Sequence, residues 1–163
     1  MRYLERITLC YVRAEDRLCL RGSTSSGRVI WLWLTYRLAR QLVRCLLDWA
    51  LRISENTSNT LEGADKKALS EKGEVVEPVS SSVCGHEEVL THSVSVSFGD
   101  EHILLRFQDD SSAEVARLGL SYADVSTLLE GFRACFADAR WHGDWRELSG
   151  YMVKKNEGEV TIH

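Results

Sequence analysis

One pattern in this 163-residue chain limits its possible folds more than any other. Three short apolar runs and one amphipathic stretch occur in the same order twice. In the first copy Ile7, Leu9 and Tyr11 alternate with polar or small residues, as a half-buried strand requires. The polar run Arg13-Ala14-Glu15-Asp16 then turns the chain, and Leu18-Cys19-Leu20 resumes the alternation, which predicts a β-hairpin. Gly22 to Gly27 has loop composition, and Val29-Ile30-Trp31-Leu32-Trp33-Leu34 reads as a third strand. Thr35 stands at an N-cap position, and Leu38, Leu42, Leu46, Trp49 and Ile53 follow at helical spacing. In the second copy Val94, Val96 and Phe98 alternate, then Ile103, Leu105 and Phe107. Val115 to Leu120 follows as a third strand, Ser121 as a cap, and Val125, Leu128, Leu129, Phe132 and Phe136 as a helix face.

At the strand-to-helix junction Leu32-Trp33-Leu34-Thr35-Tyr36 lies over Leu118-Gly119-Leu120-Ser121-Tyr122. We read the two stretches as an internal repeat. A unit of about 45 residues is too small to bury a core alone. The expected fold is therefore α+β: two β-β-β-α repeats packed as one pseudo-symmetric domain, with antiparallel sheets and two main helices. The expected divisions are a first unit at 1–53, an acidic flexible linker at 54–88, a second unit at 89–140 and a C-terminal tail at 141–163.

Charge follows the same divisions. Residues 1–53 carry ten arginines, no lysine and four acids, a balance of +6, whereas 54–88 and 89–163 each come to −5. Attraction between the parts accounts for such asymmetry, and so does an anionic partner for the first part. No apolar run reaches the roughly 18 residues of a membrane helix, and the first residues have no apolar export core. Five scattered cysteines do not suggest a disulfide framework, so the expected setting is cytoplasmic with reduced thiols and no membrane partner.

The copies are most informative where they differ. Ile30, Leu32 and Leu34 correspond to Ala116, Leu118 and Leu120, so this face is apolar in both. The opposite face carries Trp31 and Trp33 in the first copy but Arg117 and Gly119 in the second. Monomers seldom leave the area of two neighbouring indoles in water. Either the pair packs within the chain, against the other sheet or under tail residues such as Trp141 and Trp145, or it meets a second molecule. A homodimer is the natural form of such a contact, because a twofold reuses one patch. The first helix also carries Arg37, Arg40 and Arg44 along one side. Such a row serves as a solvated face paired with acids or, in the alternative reading, as a site for phosphates or other anions.

Chemistry is harder to find. Cys84-Gly85-His86 is the only close Cys/His pair and lacks the second short-spaced pair of a zinc site, so no metal is expected. There is no Gly-x-Ser-x-Gly elbow, no Walker A motif and no Gly-x-Gly-x-x-Gly, so neither catalysis nor a cofactor is expected. His102 and His142 read as surface residues. Nucleic acid is an unlikely partner for an acidic chain without a binding motif. The function expected is a protein-protein interaction or assembly module acting through Trp31 and Trp33, as a homodimer or with another protein.

Overall fold

Each apolar run forms the element its period predicts. The computed structural model describes residues 2–58, 86–141 and 159–163. In the first half, β1 (Arg6–Val12), β2 (Arg17–Ser23) and β3 (Val29–Leu34) form an antiparallel meander, followed by α1 (Tyr36–Ser58). In the second, β5 (Ser93–Phe98), β6 (His102–Gln108) and β7 (Glu114–Ser121) do the same, followed by α2 (Tyr122–Asp138). The class is α+β.

The helix starts follow from their caps. Thr35 Oγ1 accepts from Leu38 N–H at 3.3 Å. Ser121 and Asp124 form a complete capping box, each side chain accepting from the other's backbone N–H. The hydrogen-bonded Ser121 hydroxyl and backbone N–H hold the Asp124 carboxyl below the usual carboxylate range. Leu38, Leu42, Leu46 and Trp49 on α1 are buried, as are Val125, Leu128, Leu129, Phe132 and Phe136 on α2. They join one core with Leu18, Leu20, Ile30, Leu32 and Leu34 from the first half and Val94, Val96, Ile103, Leu105 and Phe107 from the second.

Two strands were not legible as parts of the sheets. β4 (Glu87–Leu90) pairs parallel to β3, and β8 (Glu159–Ile162) pairs antiparallel to β5. Both sheets are thus four-stranded, in the orders β1-β2-β3-β4 and β7-β6-β5-β8. The added strands join at non-equivalent places, beside the third strand of the first meander and the first strand of the second. The first sheet is mixed rather than wholly antiparallel. α1 runs past Ile53 to Ser58, and β4 begins at Glu87, inside the stretch read as linker.

The halves are interlocked in two ways. First, each helix lies across the other half's sheet: α1 packs on β5 and β8 as well as β2, and α2 on β1 as well as β7. Trp49 on α1 donates its indole N–H to Gly99 O in the β5–β6 turn at 3.2 Å. Second, the chain stitches the sheets together at two points. Leu4 N–H bonds Arg117 O of the second sheet at 2.8 Å, and Glu5 N–H bonds Ser23 O of the first at 2.9 Å. Likewise Thr91 N–H bonds Trp33 O, and His92 N–H bonds Gln108 O.

Candidate functional site

Strand pleating puts Ile30, Leu32 and Leu34 into the core and turns Trp31 and Trp33 to the outer face of the first sheet. The strand register completes that face. Thr8, Arg21, Trp31 and Glu88 form one row across the four strands, and Cys10, Cys19, Trp33 and Leu90 the next. The two indoles meet edge to face, with ring centroids 6.3 Å apart. His86, just before β4, stacks on Trp31 at 4.1 Å, and the Arg21 guanidinium carbon lies 4.2 Å from the Trp31 ring centroid. Trp33 donates its indole N–H to Glu88 Oε2 at 3.2 Å, and His86 Nε2 lies 2.8 Å from Glu88 Oε1. Hydrogen bonds from His86 and Trp33 hold the Glu88 carboxyl below its ordinary range.

The indoles are therefore partly covered, but not by the tail residue named as a candidate. Trp141 packs at the other end of the first hairpin, with its ring centroid 4.8 Å from Tyr36 and 5.5 Å from Phe136. It is held there because its indole N–H donates to Asp16 Oδ1 at 3.3 Å, the oxygen that also accepts from Tyr11 at 2.7 Å. Trp145 lies outside the described residues. Beside the indoles, Leu90 is 49% exposed and Val29 39%.

The outer face of the second sheet is cross-bonded by its own polar side chains, although Arg106 Nε is enclosed without a partner. Ser93 Oγ donates to Gln108 Oε1 at 2.7 Å, Ser95 Oγ and Thr161 Oγ1 are 3.0 Å apart, and Arg106 bonds Ser97 Oγ and Glu159, each at 2.7 Å. Arg117 is paired with Glu114 in two hydrogen bonds, and Gly119 presents no side chain. Among the described residues this face carries half-buried Leu104 and Val115 but no aromatic side chain.

The arginine row does not open to solvent as a unit. Arg37 is exposed, but Arg40 and Arg44 are half-buried, and the Arg40 Nε atom is enclosed. Cys10 and Cys19 are direct cross-strand partners, both free thiols. Hydrogen bonding with Cys19 draws the Cys10 thiol down to about 6 against the opposing effect of burial, with help from Arg21. The same contact and burial push Cys19 up. Burial puts Cys45 and Cys135 at about 11. Cys84, Gly85 and His142 lie outside the described residues. His86 serves the Trp face, and His102 is exposed. Among the described residues no group of three or more His, Cys, Asp or Glu could hold a metal, and no helix is long and apolar enough to cross a membrane.

Sequence reasoning placed Trp31 and Trp33 together on one face but missed their neighbours Arg21, His86, Glu88 and Leu90. Only the strand register places these beside the indoles. A cleft of about 610 Å³ lies between β1, β7 and α2. Comparison with protein families, curated proteins and solved structures gives no match.

Proposed function

We propose that this chain is a protein-interaction module that self-associates through the outer face of its first sheet. The observation that carries the reading is the contrast between two sheets of similar build. One outer face is cross-bonded by its own polar side chains, whereas the other sets Trp31 and Trp33 beside the exposed Leu90. A twofold contact suits this face because Arg21 and Glu88 flank the indoles with opposite charges in a single row. A second copy can therefore oppose unlike charges around a shared aromatic centre. Stable interfaces of this kind bury about 800 Å² per partner, and aromatic and arginine side chains usually dominate their binding energy.

Light scattering on purified protein tests the reading. Wild type should have the mass of a dimer, and the double variant W31S/W33S that of a monomer while retaining its fold by circular dichroism. A monomeric wild type with both indoles shielded from acrylamide would end the self-association reading. A stable heteromeric complex lost in W31S/W33S would keep the face and change the partner. The anion-binding alternative has less support, because only Arg37 of the three arginines is exposed.

A further inference from the structure

Two of the chain's free thiols face each other directly. Cys10 on β1 and Cys19 on β2 are register partners, so their side chains leave the sheet on one side, in the row that continues to Trp33 and Leu90. Cys10 Sγ lies 3.6 Å from Cys19 O. Directly opposed residues of an antiparallel pair have Cα atoms roughly 4.5–5.5 Å apart, inside the roughly 4.4–6.8 Å that a disulfide spans. To close the bond their Cβ atoms approach by only about 1 Å. β1 is an edge strand, so no strand on its far side resists that shift.

The two sulfurs have unlike surroundings. Cys10 is half-buried on the edge strand, whereas Cys19 lies between Cys10 and Trp33 in the row and is fully buried. A reagent arriving from solvent therefore meets Cys10 first. Hydrogen bonding with Cys19 and the charge of Arg21 hold the Cys10 thiol at about 6, so at neutral pH it is mostly the nucleophilic thiolate. The same contact, with burial, keeps the proton on Cys19. Cys45 and Cys135 sit on the two helices, where burial keeps both thiols protonated at about 11.

We propose that Cys10 and Cys19 are a redox-active pair, converted by a hydroperoxide into a reversible cross-strand disulfide. The Cys10 thiolate attacks the peroxide, the O–O bond breaks, and Cys10 becomes a sulfenic acid while the peroxide leaves as an alcohol or water. The contact that kept the proton on Cys19 is with the Cys10 thiolate, and it ends when that sulfur takes up oxygen. Cys19 sulfur then attacks Cys10 sulfur, the S–O bond breaks, and the departing hydroxide takes the Cys19 proton as water. Each sulfur gives one electron, and the peroxide takes two. The site is built from β1 and β2 alone and stands without the self-association reading.

The test uses the full-length chain carrying Cys84→Ser, so that every remaining thiol is among the described residues. It is treated with hydrogen peroxide, blocked with iodoacetamide and digested with trypsin, which places each remaining cysteine in a different peptide. Mass spectrometry should find peptide 7–13 joined to peptide 18–21, and the joined pair should disappear after dithiothreitol. Cys19→Ala removes the resolving thiol and should raise dimedone labelling of Cys10 sulfenic acid at least about tenfold over the parent chain. Cys10→Ser should leave Cys19 reduced. Circular dichroism checks that both variants fold, and the peptide mapping of the parent chain requires neither. A joined pair in W31S/W33S but not in the parent would keep the site and show the parent's face covered by association. Three results would overturn the proposal: no joined pair in either background, Cys10 joined to Cys45 or Cys135 instead, or equal dimedone labelling with and without Cys19.

Discussion

The two sheets have similar inner faces and different outer ones. Inside, both contribute alternate leucines, valines and other apolar residues to one core. Outside, the second sheet bonds serine, threonine, glutamine and arginine across its strands, and Ser93 and Ser95 are only 2% and 3% exposed. The first sheet places indoles on β3, aligned with Arg117 and Gly119 of β7, and surrounds them with a cation, a carboxylate and an exposed leucine. The lesson is that the inner faces of the two sheets are alike because they share one core, and that the halves differ in what their outer faces carry.

The largest expected effects test whether the inner faces are truly shared. Leu32→Ala and Leu105→Ala each remove a fully buried side chain and should each cost about 2–5 kcal/mol in urea unfolding. Both should shift a single transition. Two separate transitions, one per variant, would mean that the halves unfold independently.

The outer faces should respond unequally. Trp33→Ser should reduce the molar mass in light scattering. Ser95→Ala should leave the mass unchanged and cost about 1 kcal/mol, the net worth of its hydrogen bond to Thr161. A mass change in the serine variant would dissolve the contrast.

The caps give a smaller difference. Ser121→Ala should cost about 1 kcal/mol, more than Thr35→Ala, because only Ser121 belongs to a complete capping box. Asp124 adds a pH dependence. Its carboxyl is lowered in the folded chain, so its contribution is complete above the ordinary carboxylate range and is lost as pH falls through the lowered value. Asp124→Asn should flatten the stability profile in that acidic window.

The smallest effect is kinetic. With its thiol at about 6, Cys10 should be alkylated at neutral pH ahead of Cys45 and Cys135, and more slowly once the pH falls below that value. Cys10 shares a row with Trp33 and Leu90. Its labelling, followed by mass spectrometry in a Cys84→Ser background, should therefore slow as protein concentration rises and the face becomes occupied.

Much of the fold was legible because local periodicity and burial agree. Six strands follow from alternation and both helices from apolar residues at helical spacing, and Thr35 and Ser121 mark the helix starts as caps. β4 and β8 were not legible because each is only four residues long. Glu87-Glu88-Val89-Leu90 has no alternation that distinguishes a strand from a linker, and its place beside β3 is decided by tertiary pairing. The indoles of Trp31 and Trp33 were legible through comparison of the two copies. Their neighbours were not, since His86 and Glu88 lie more than fifty positions away in sequence and are brought in by the parallel ladder.

The exchange of helices between the halves has a consequence for synthesis of the chain. Residues 1–58 contain only three of the four strands of their sheet, the edge strand β1 is packed on by α2 of the second half, and α1 in turn packs on β5, which follows it. The first half cannot complete its packing while the ribosome is still translating the second. Two polypeptides divided between residues 59 and 85 should therefore be separately unfolded and mutually rescuing, a natural split protein whose halves fold only on meeting.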